Sequence, residues 1–383
     1  MKKFKEIFKY PIIILFTIFI GGLSIADYLA PPKTKSELEN KFLAQKPTMT
    51  VKSVFDNSFS KKYEAYVNDQ FIFRDQWISI KSIAELSLGK KQNNSITYGK
   101  DGYMFEVIEQ FNDKTLTRNS NYLTKFIEQY QDKNLTLSII PTSYVTLEDK
   151  LPYGMIKADV LSYLDSYYKN ISNLNNKLSI INGYEALKPY DSEYIYYKTD
   201  HHWTTLGAYH WYEEYCNSKG LTAVKLDSLT PNIVENFYGT FFNKAKLVTA
   251  KPDFITYYDI PTEHFEFEGN QSKDGFYDFD KFNTRDKYAA FMHGNNGLTY
   301  IKSNHNLDKV EGKSSKILVI KDSYANSLIP FLTYNYDEIF VADLRSTPIP
   351  LSQLMDEYEI DDVLVIYNFM TFMNDKNFSR LLK

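Results

Sequence analysis

Residues 316–332 of this 383-residue chain read KILVIKDSYANSLIPFL and predict a strand that runs directly into a helix. The apolar, β-branched run favours a buried strand, and helix-forming residues follow Ser323 and Tyr324 at once. A serine at such a turn lies at the carboxyl edge of a sheet, beside helix amides that can stabilise an oxyanion. On its own, however, the pattern is more typical of a capping serine or a buried hydroxyl.

Strands and helices alternate along most of the chain around this segment. Further buried-strand runs are LTLSIIP (135–141), LSIIN (178–182), EIFVAD (338–343) and DDVLVIYN (361–368). Amphipathic stretches at 118–132 and 157–176 predict helices. Such alternation predicts an α/β fold, in which a parallel sheet with right-handed crossovers is flanked by helices. Residues 221–306 interrupt the rhythm with alternating aromatic segments, which predict an antiparallel β insertion.

The region before this α/β domain is predicted to be helical. We place the helical N-terminal segment at 31–92 and the domain at 93–383. SELENKFLAQ (36–45) predicts a helix with Ser36 as N-cap, because Glu39 follows three residues later. A later helix carries an apolar stripe at helical spacing, which we expect to pack in the core. The stripe consists of Trp77, Ile80, Ile83, Ala84 and Leu88.

Residues 194–212, YIYYKTDHHWTTLGAYHWY, contain three of the six histidines of the chain. A strand-like YIYY run precedes Asp200-His201-His202-Trp203, and a helical pattern follows. If this turn and the Ser323 turn both follow strands of one sheet, both open onto the same edge. Acyl transfer through serine needs an imidazole to accept the hydroxyl proton and an acid to orient that imidazole. The two segments together therefore suggest a serine triad in the chain order Asp, His, Ser.

The N-terminus predicts a membrane anchor within residues 1–30. MKKFKEIFKY is basic, and PIIILFTIFIGGLSIA (11–26) is an uncharged apolar run. The lysines favour a cytoplasmic N-terminus, which places the chain from Pro31 onward outside the membrane. The expected location is therefore the cell membrane, with a single pass and an extracellular catalytic domain. No clear A-x-A cleavage site is present, although Gly21, Gly22 and Ser24 leave cleavage of a signal peptide open.

Composition argues against several other classes of function. A net charge of −4 and a pI near 5.9 give no electrostatic case for nucleic acid. Cys216 is the only cysteine, so the chain can form neither an internal disulfide nor a thiolate metal cluster. An Asp-His-His cluster could hold a metal, but H-E-x-x-H and the further aspartates of metal hydrolases are missing from the sequence. We predict neither a metal nor a cofactor. The 32 tyrosines suit carbohydrate binding, but AT-rich codon usage explains them more simply.

The chain resembles the DHHW family, named for the motif that stands here at residues 200–203. The resemblance extends from about residue 60 to the C-terminus. Its motifs are NDQFIFRDQWISIK, YGKDGYMF, Leu151-Pro152, TDHHWTTLGAY, MHGNNGLTYIK, VIKDSYANSLIPFL and DLR. That family is similar to extracytoplasmic alginate O-acetyltransferases, whose domains are circularly permuted and SGNH-hydrolase-like. The resemblance therefore implies an SGNH-like sheet with permuted motif order.

The resemblance also implies roles for individual residues. Ser323 would be the nucleophile, His202 the general base, and Asp200 the residue that orients His202. His201 occupies the variable position of D-x-H-W and is the less favoured base. Further residues that would lie at the site are Asn295 or Asn296 as an oxyanion donor, with Tyr324 and Arg345 beside it.

The implied activity is transfer of acetyl groups to hydroxyls of a cell-envelope or secreted polysaccharide. The family similarity implies a multipass membrane O-acyltransferase as the partner that donates acetyl groups. The same triad with water as the acceptor gives a carbohydrate acetyl esterase. A catalytically silent, glycan-binding scaffold of an envelope complex is the alternative from another class, and the sequence leaves both open.

Overall fold

The computed structural model describes residues 10–36, 41–247, 249–267 and 271–383. The chain divides into two compact units. The smaller unit ends at Lys90 and includes Lys246–Thr249, and the larger one comprises Lys91–Ala245 and Ala250–Lys383.

The N-terminal unit is mostly helical over its described residues. Its elements are α1 (Pro11–Leu29), β1 (Lys35–Ser36), β2 (Lys41–Phe42), α2 (Val51–Phe55), α3 (Ser58–Gln70) and α4 (Arg74–Ser87). Among the described residues, α1 is the helix that is long and apolar enough to cross a membrane, with a mean hydropathy of 2.1 and no buried residue. At about 1.5 Å per residue its 19 residues span roughly the hydrocarbon core of a bilayer.

The helix predicted at 36–45 is wrong over the described residues. Ser36 and Lys41 instead pair in an antiparallel hairpin of β1 and β2, and residues 37–40 lie outside the described part. Asp69 of α3 explains the extended conformation after the hairpin. Its carboxylate accepts hydrogen bonds from Lys41 Nζ (3.0 Å) and from the main-chain nitrogen of Ala44 (2.9 Å). These tertiary contacts override the local capping signal.

The expected core packing of the Trp77 stripe is also wrong. Trp77 is 38% exposed, Ile80 56% and Leu88 87%, whereas Ser82 on the opposite side of α4 is 2% exposed. The helix thus turns this apolar stripe outward and buries Ser82.

The larger unit is built around an eight-stranded sheet with the order β11-β10-β12-β14-β13-β15-β6-β7. The strands from β14 to β7 in this order pair in parallel, and β12, β10 and β11 add antiparallel strands at one side. The strands are β6 (Asn134–Ile140), β7 (Ser179–Ile180), β10 (His264–Phe267), β11 (Gln271–Ser272), β12 (Leu298–Lys302), β13 (Lys316–Lys321), β14 (Glu338–Ala342) and β15 (Asp362–Asn368).

Two smaller sheets accompany the main one. A hairpin turns around residues 100–102, since Ile96 pairs with Glu106 in antiparallel orientation. One of the smaller sheets consists of β3 (Gln92–Asn93), β4 (Ile96–Tyr98) and β5 (Met104–Glu106). The other consists of β8 (Pro231–Phe237) and β9 (Asp253–Tyr258). The pair of β8 and β9, together with β10 to β12, forms the antiparallel insertion.

The helices of the larger unit flank the main sheet or pack beside the smaller sheet and the insertion. They are α5 (Asp113–Gln129), α6 (Ser143–Thr146), α7 (Val160–Ile171), α8 (Gly183–Leu187), α9 (Thr205–Lys219), α10 (Thr240–Ala245), α11 (Phe279–Phe282), α12 (Ile329–Leu332), α13 (Leu351–Glu357) and α14 (Phe369–Asn374). Residues 317–320 of β13 are fully buried, as expected for a central parallel strand covered on both faces. The predicted α/β class, with a parallel sheet, flanking helices and an antiparallel insertion, is confirmed.

Candidate active site

The serine turn follows β13 at the carboxyl edge of the parallel strands. A short 3₁₀ helix, Ser323–Ser327, begins directly after Asp322, which caps it. Asp322 Oδ1 accepts a hydrogen bond from the Tyr324 nitrogen (2.9 Å), and Oδ2 accepts one from the Asn368 nitrogen (2.9 Å). Because Asn368 ends the adjacent strand β15, one carboxylate fixes the serine turn against the next strand of the sheet.

The Asp-His-His segment reaches the same edge by a different route from the one predicted. Residues 194–197 do not form a strand of the sheet; Tyr196 makes an isolated bridge to Trp203, which closes a loop. Asp253 at the start of β9 holds this loop. Its carboxylate accepts hydrogen bonds from the nitrogens of Lys198 (2.9 Å) and Thr199 (2.7 Å) and from the Thr199 hydroxyl. The expectation that both turns follow strands of one sheet is therefore wrong for this segment.

Trp203 fastens the histidine loop to the serine turn. It is fully buried, and its indole Nε1–H donates to the Tyr324 carbonyl (2.7 Å) and to Ser327 Oγ (3.1 Å). In the other direction, the Tyr324 hydroxyl donates to the carbonyl oxygen of His201. These contacts connect the two segments across more than 100 residues of sequence and fix the distance between them.

Ser323, His202 and Asp200 lie in one hydrogen-bonded row. His202 Nε2 is 2.9 Å from Ser323 Oγ, and His202 Nδ1 is 2.6 Å from Asp200 Oδ1. Asp200 Oδ1 also accepts from the His202 nitrogen (3.0 Å), which fixes the imidazole from its own main chain. With Nδ1–H donated to the carboxylate, Nε2 is the nitrogen that can accept a proton from the serine.

The second oxygen of Asp200 is held by a segment that the sequence did not single out. The Thr240 nitrogen at the start of α10 donates to Asp200 Oδ2 (2.7 Å). The preceding residue is Gly239, where a Cβ atom would stand only 2.2 Å from Asp200 Cβ. A glycine is therefore needed for α10 to approach the carboxylate, and the only sequence signal is a Gly-Thr pair before a short helix.

His201 takes a different position from its neighbour. Its Nδ1 is hydrogen bonded to Thr240 Oγ1 (2.7 Å), and its side chain is 38% exposed against 7% for His202. The structure thus brings His202, rather than His201, to the serine.

Burial and neighbouring charge separate the pKa values of this cluster. Burial lowers the pKa of His202 to about 4, with His201 acting in the same direction and Asp200 opposing it. Burial also pulls the pKa of His201 down, but the Asp200 carboxylate outweighs it and the net pKa is raised. Burial opposes ionisation of Asp200, yet the two imidazoles hold its pKa well below the usual range. His202 is therefore neutral at pH 7 and able to accept a proton.

For the role of general base that the resemblance implies for His202, this shift sets the acid limb of the pH profile. A general base acts when neutral, so activity is lost as the pH falls through its pKa. We expect kcat/KM for an acetyl ester to persist down to a limb near pH 4 instead of near 6.5, and then to fall about tenfold per pH unit. His201→Gln should move the limb to higher pH, because His201 lowers the pKa of His202. Circular dichroism over the same range controls for acid unfolding, and a wild-type limb near 6.5 would contradict the expectation.

Tyr288 is a second residue that sequence reasoning missed. Its ring stacks on His202 with a centroid distance of 3.7 Å and an interplanar angle of 12°. Its hydroxyl donates to the carbonyls of Ser323 (3.1 Å) and Tyr324 (3.3 Å). Tyr288 therefore positions the imidazole with its ring and the serine turn with its hydroxyl.

Substitutions at Tyr288 should separate these two contributions. Tyr288→Phe keeps the ring and removes the single hydroxyl proton that the Ser323 and Tyr324 carbonyls share, a loss of about 1 kcal/mol, which corresponds to roughly fivefold in turnover. Tyr288→Ala also removes the stacked ring and should lower kcat further, with a lower melting temperature. Steady-state kinetics and thermal unfolding of both variants test this, and equal effects of Phe and Ala would refute the role of the ring.

The asparagines of the 292–299 loop differ in their surroundings. Asn296 is buried, and its Nδ2 donates to the carbonyl of Met292 within its own loop (2.8 Å). Asn295 is exposed, and its Oδ1 accepts a hydrogen bond from Asn326 Nδ2 of the serine turn (3.1 Å). Asn326 Oδ1 in turn accepts from Lys321 Nζ (2.6 Å), an ammonium whose pKa burial lowers to about 8. Of the two asparagines, Asn295 is the one in contact with the serine turn.

Arg345 is paired with an aspartate. It follows β14, and its Nε donates to Asp343 Oδ1 (2.8 Å).

Tyr324 lines a cavity of about 260 Å³ together with His201, Thr240 and other residues. Further lining residues include Thr142, Ser143, Asn368 and Met370, from the carboxyl ends of β6 and β15. The cavity thus adjoins the histidine loop on the edge where Ser323 stands.

Asp200, His201 and His202 also meet the distance condition for a metal site, since ligand atoms of all three lie within 4.8 Å of one another. Both oxygens of Asp200, both ring nitrogens of His202 and Nδ1 of His201 already take part in hydrogen bonds, however. Asp200 and His202 bind each other, and His201 Nδ1 binds Thr240. A metal here would have to displace the hydrogen bonds that connect the histidine loop to Ser323 and α10.

The fold and the arrangement of its residues define an α/β protein with a Ser-His-Asp row at the carboxyl edge of its parallel strands. The family model described as "DHHW protein" matches residues 130–342, which is more than half of the chain. The chain belongs to the DHHW family, and the predicted membership is confirmed.

Several solved structures are similar to this chain. A DHHW family protein from Eubacterium siraeum is 22% identical with a TM-score of 0.63, covering 76% of this chain and 96% of that one. Bacillus cereus PatB1 is 20% identical with a TM-score of 0.58, covering 72% and 96%. A structure of Bacillus cereus PatB1 with a sulfonyl adduct is 18% identical with a TM-score of 0.58, covering 73% of this chain and 96% of that one. The O-acetyltransferase domain of Pseudomonas putida AlgJ is matched more loosely, at 11% identity and a TM-score of 0.43, covering 75% and 98%. No curated protein matches the sequence.

Proposed function

We propose that this protein is an extracytoplasmic O-acetyltransferase that uses Ser323, His202 and Asp200 as a catalytic triad. The observation that carries the proposal is the hydrogen-bonded row from Ser323 Oγ through the imidazole to Asp200, at 2.9 and 2.6 Å. A buried imidazole with a lowered pKa supports it, because the general base must be neutral at working pH.

Four proton transfers through His202 carry the proposed reaction. Ser323 Oγ attacks the carbonyl carbon of the acetyl donor while His202 Nε2 accepts the hydroxyl proton. The imidazolium, stabilised by Asp200, then protonates the leaving group, and acetyl-Ser323 remains. A sugar hydroxyl gives its proton to His202 Nε2 and attacks the carbonyl carbon of this ester. The bond between that carbon and Ser323 Oγ then breaks, the imidazolium returns the proton to Oγ, and the acetylated sugar leaves.

Asn295 is the proposed side-chain donor to the oxyanion. Its Oδ1 is bound by Asn326, so that Nδ2 is the end available to donate. Lys321 Nζ donates to Asn326 Oδ1, and its positive charge would strengthen the hydrogen bond that Asn326 Nδ2 donates to Asn295. We propose Tyr324 as part of the acceptor or donor pocket, and Arg345 as a residue that supports the edge through Asp343.

We propose the cell membrane as the location, with α1 as a single-pass anchor and the larger unit on the outer side. The lysines before α1 support this orientation. The proposed acceptor is a cell-envelope or secreted polysaccharide, and the proposed acetyl donor a multipass membrane O-acyltransferase. Both come from the family similarity, and the cavity lined by His201 and Tyr324 is the proposed route to the serine.

Acetyl transfer to oligosaccharides tests the proposal. The wild-type chain is incubated with a chromogenic acetyl ester, with and without cell-wall oligosaccharides, and acetylated sugar is measured by mass spectrometry. Transfer to sugar supports the O-acetyltransferase, and release of acetate alone indicates an esterase with the same triad. Neither release nor transfer would indicate a glycan-binding scaffold. A sulfonyl fluoride is a second probe, since it should modify Ser323 and block both reactions.

A further inference from the structure

The exposed apolar stripe of α4 is a feature that acetyl transfer does not explain. In a helix that packs on a soluble core, apolar residues face inward. Here Phe73 (53% exposed), Trp77 (38%), Ile80 (56%) and Leu88 (87%) recur at helical spacing on the outer side. With the exposed Ala84 they form what we call the α4 stripe.

Hydrogen bonds on the opposite side fix α4 in this orientation. The hydroxyl of Ser36 in β1 donates to the Asp75 carboxylate (3.0 Å), and Arg74 contacts the carboxylates of Asp75 (3.2 Å) and Asp69 (3.6 Å). Ser82 is buried on the same side. A rotation of α4 that buried the stripe would break these contacts and expose the polar groups that now face inward.

The start of the stripe is attached to the end of α1. Asp27, in the last turn of α1, accepts a hydrogen bond from the Ile72 nitrogen (2.9 Å) in the turn before α4. Just beyond α1, the nitrogen of Lys33 donates to Gln70 Oε1 (2.8 Å), and Gln70 Nε2 donates back to the Lys33 carbonyl (2.9 Å). The turn that carries Phe73 therefore lies at the level where α1 would leave the membrane.

Phe73 itself is held in an unfavourable conformation. Its φ is +56°, in the left-handed region that side chains other than glycine rarely adopt. Such strain costs free energy and persists where the surroundings impose it, often at functional positions. The result is that Phe73 and the nearby Phe71 (41% exposed) both present aromatic rings to the outside.

We propose that the α4 stripe lies in the headgroup and upper acyl region of the bilayer that α1 spans. This inference rests on α1 being a membrane anchor and is independent of acetyl transfer. Tyr28 at the end of α1 adds a further exposed aromatic, and aromatic residues are enriched at membrane interfaces. Within α4, Arg74 and Lys81 balance Asp75 and Glu85, so apolar burial rather than attraction to anionic lipid drives the contact.

The tryptophans of the chain provide a direct probe. The chain has three, and Trp203 and Trp211 are fully buried in the larger unit, so lipid-borne quenchers report on Trp77. The full chain is reconstituted into phosphatidylcholine vesicles whose acyl chains are brominated near the ester end or near the methyl end. In the brominated vesicles we expect the fluorescence of Trp77 to be lost. Bromines near the ester end should quench it more strongly than bromines near the methyl end.

Three variants show which residues carry this signal. Trp77→Phe should abolish the quenching while leaving the emission of the other two tryptophans. Ile80→Ser combined with Leu88→Ser should weaken the quenching of Trp77, with an unchanged circular dichroism spectrum. Ser79→Ala is the matched control, because Ser79 lies two residues after Trp77, on the opposite side of α4, and its hydroxyl donates to the Asp75 carbonyl of the same helix; it should leave the quenching intact.

Equal emission in brominated and plain vesicles would overturn the proposal. Protection of Trp77 that arises only when other membrane proteins are added would also overturn it, and would assign the stripe to a protein partner. Because the readout does not involve turnover, an inactive but quenched protein would refute the proposed acetyl transfer and leave the membrane contact standing.

Discussion

Ser323→Ala is expected to lower kcat for an acetyl ester by about 10⁴-fold or more, because triad residues act as a unit and removal of the nucleophile abolishes the acyl-enzyme route. The substitution removes only Oγ. The hydrogen bond from the Tyr324 nitrogen to the Asp322 carboxylate remains, and so does the one from the Trp203 indole to the Tyr324 carbonyl. The melting temperature should therefore change little. Burst kinetics with the chromogenic ester measure the loss, and the sulfonyl fluoride adduct should disappear from the intact mass.

Ser218→Ala is the matched control for this loss. Ser218 is near the end of α9. Its hydroxyl donates to the carbonyl of Tyr215 in the same helix (2.9 Å). The control should retain wild-type turnover and a single sulfonyl adduct. If Ser323→Ala kept substantial turnover, or if the adduct remained on the variant, another nucleophile would have to carry the reaction.

The central part of the fold could be predicted from sequence because its signals are local. β13 is a run of apolar residues buried on both faces, and the following Asp322-Ser323 turn places its side chains at the carboxyl edge. The pairing of Asp200 with His202 also depends on residues two apart, so the motif alone contains it. Such short-range relations remain in the sequence whatever the rest of the chain does.

The parts that sequence reasoning missed depend on distant segments. Tyr288 stacks on His202 from 86 positions away, and Thr240 reaches Asp200 from 40 positions away. Neither has a spacing that a single sequence can reveal. The strand predicted at 194–197 failed for a related reason, since Asp253 and the Tyr196–Trp203 bridge shape this segment as a closed loop.

The α4 stripe shows a different limit of sequence reasoning. Helical spacing of Trp77 and Ile80 identified the helix correctly, but periodicity alone does not say which medium faces the apolar side. A protein core and a lipid interface select the same residues. The decisive information is the contact of Asp27 with Ile72, which only the structure provides.

Asp200→Asn should lower kcat by about 10⁴-fold, as expected when the acid that fixes the imidazole tautomer is lost. Both carboxylate oxygens accept from donors: Oδ1 from His202 nitrogens and Oδ2 from the Thr240 nitrogen. An amide has one oxygen, so its NH₂ must face one of these donors. If NH₂ faces His202, Nδ1 must become the acceptor and the ring proton moves to Nε2, which can then no longer take the serine proton. If NH₂ faces Thr240, the contact with α10 is repulsive and the loop shifts.

The two orientations of the amide give different results, and both can be measured. The tautomer change lowers kcat and gives a ring proton on Nε2 by nitrogen NMR, with a lower melting temperature because the NH₂ also meets the main-chain nitrogen of His202. Repulsion at Thr240 also lowers the melting temperature but leaves the ring proton on Nδ1. In either case Asp200→Asn added to Ser323→Ala should cause no further loss of turnover, because both substitutions disable one unit. An additive loss would mean that Asp200 acts outside the proposed triad, and wild-type turnover of Asp200→Asn alone would remove it from the mechanism.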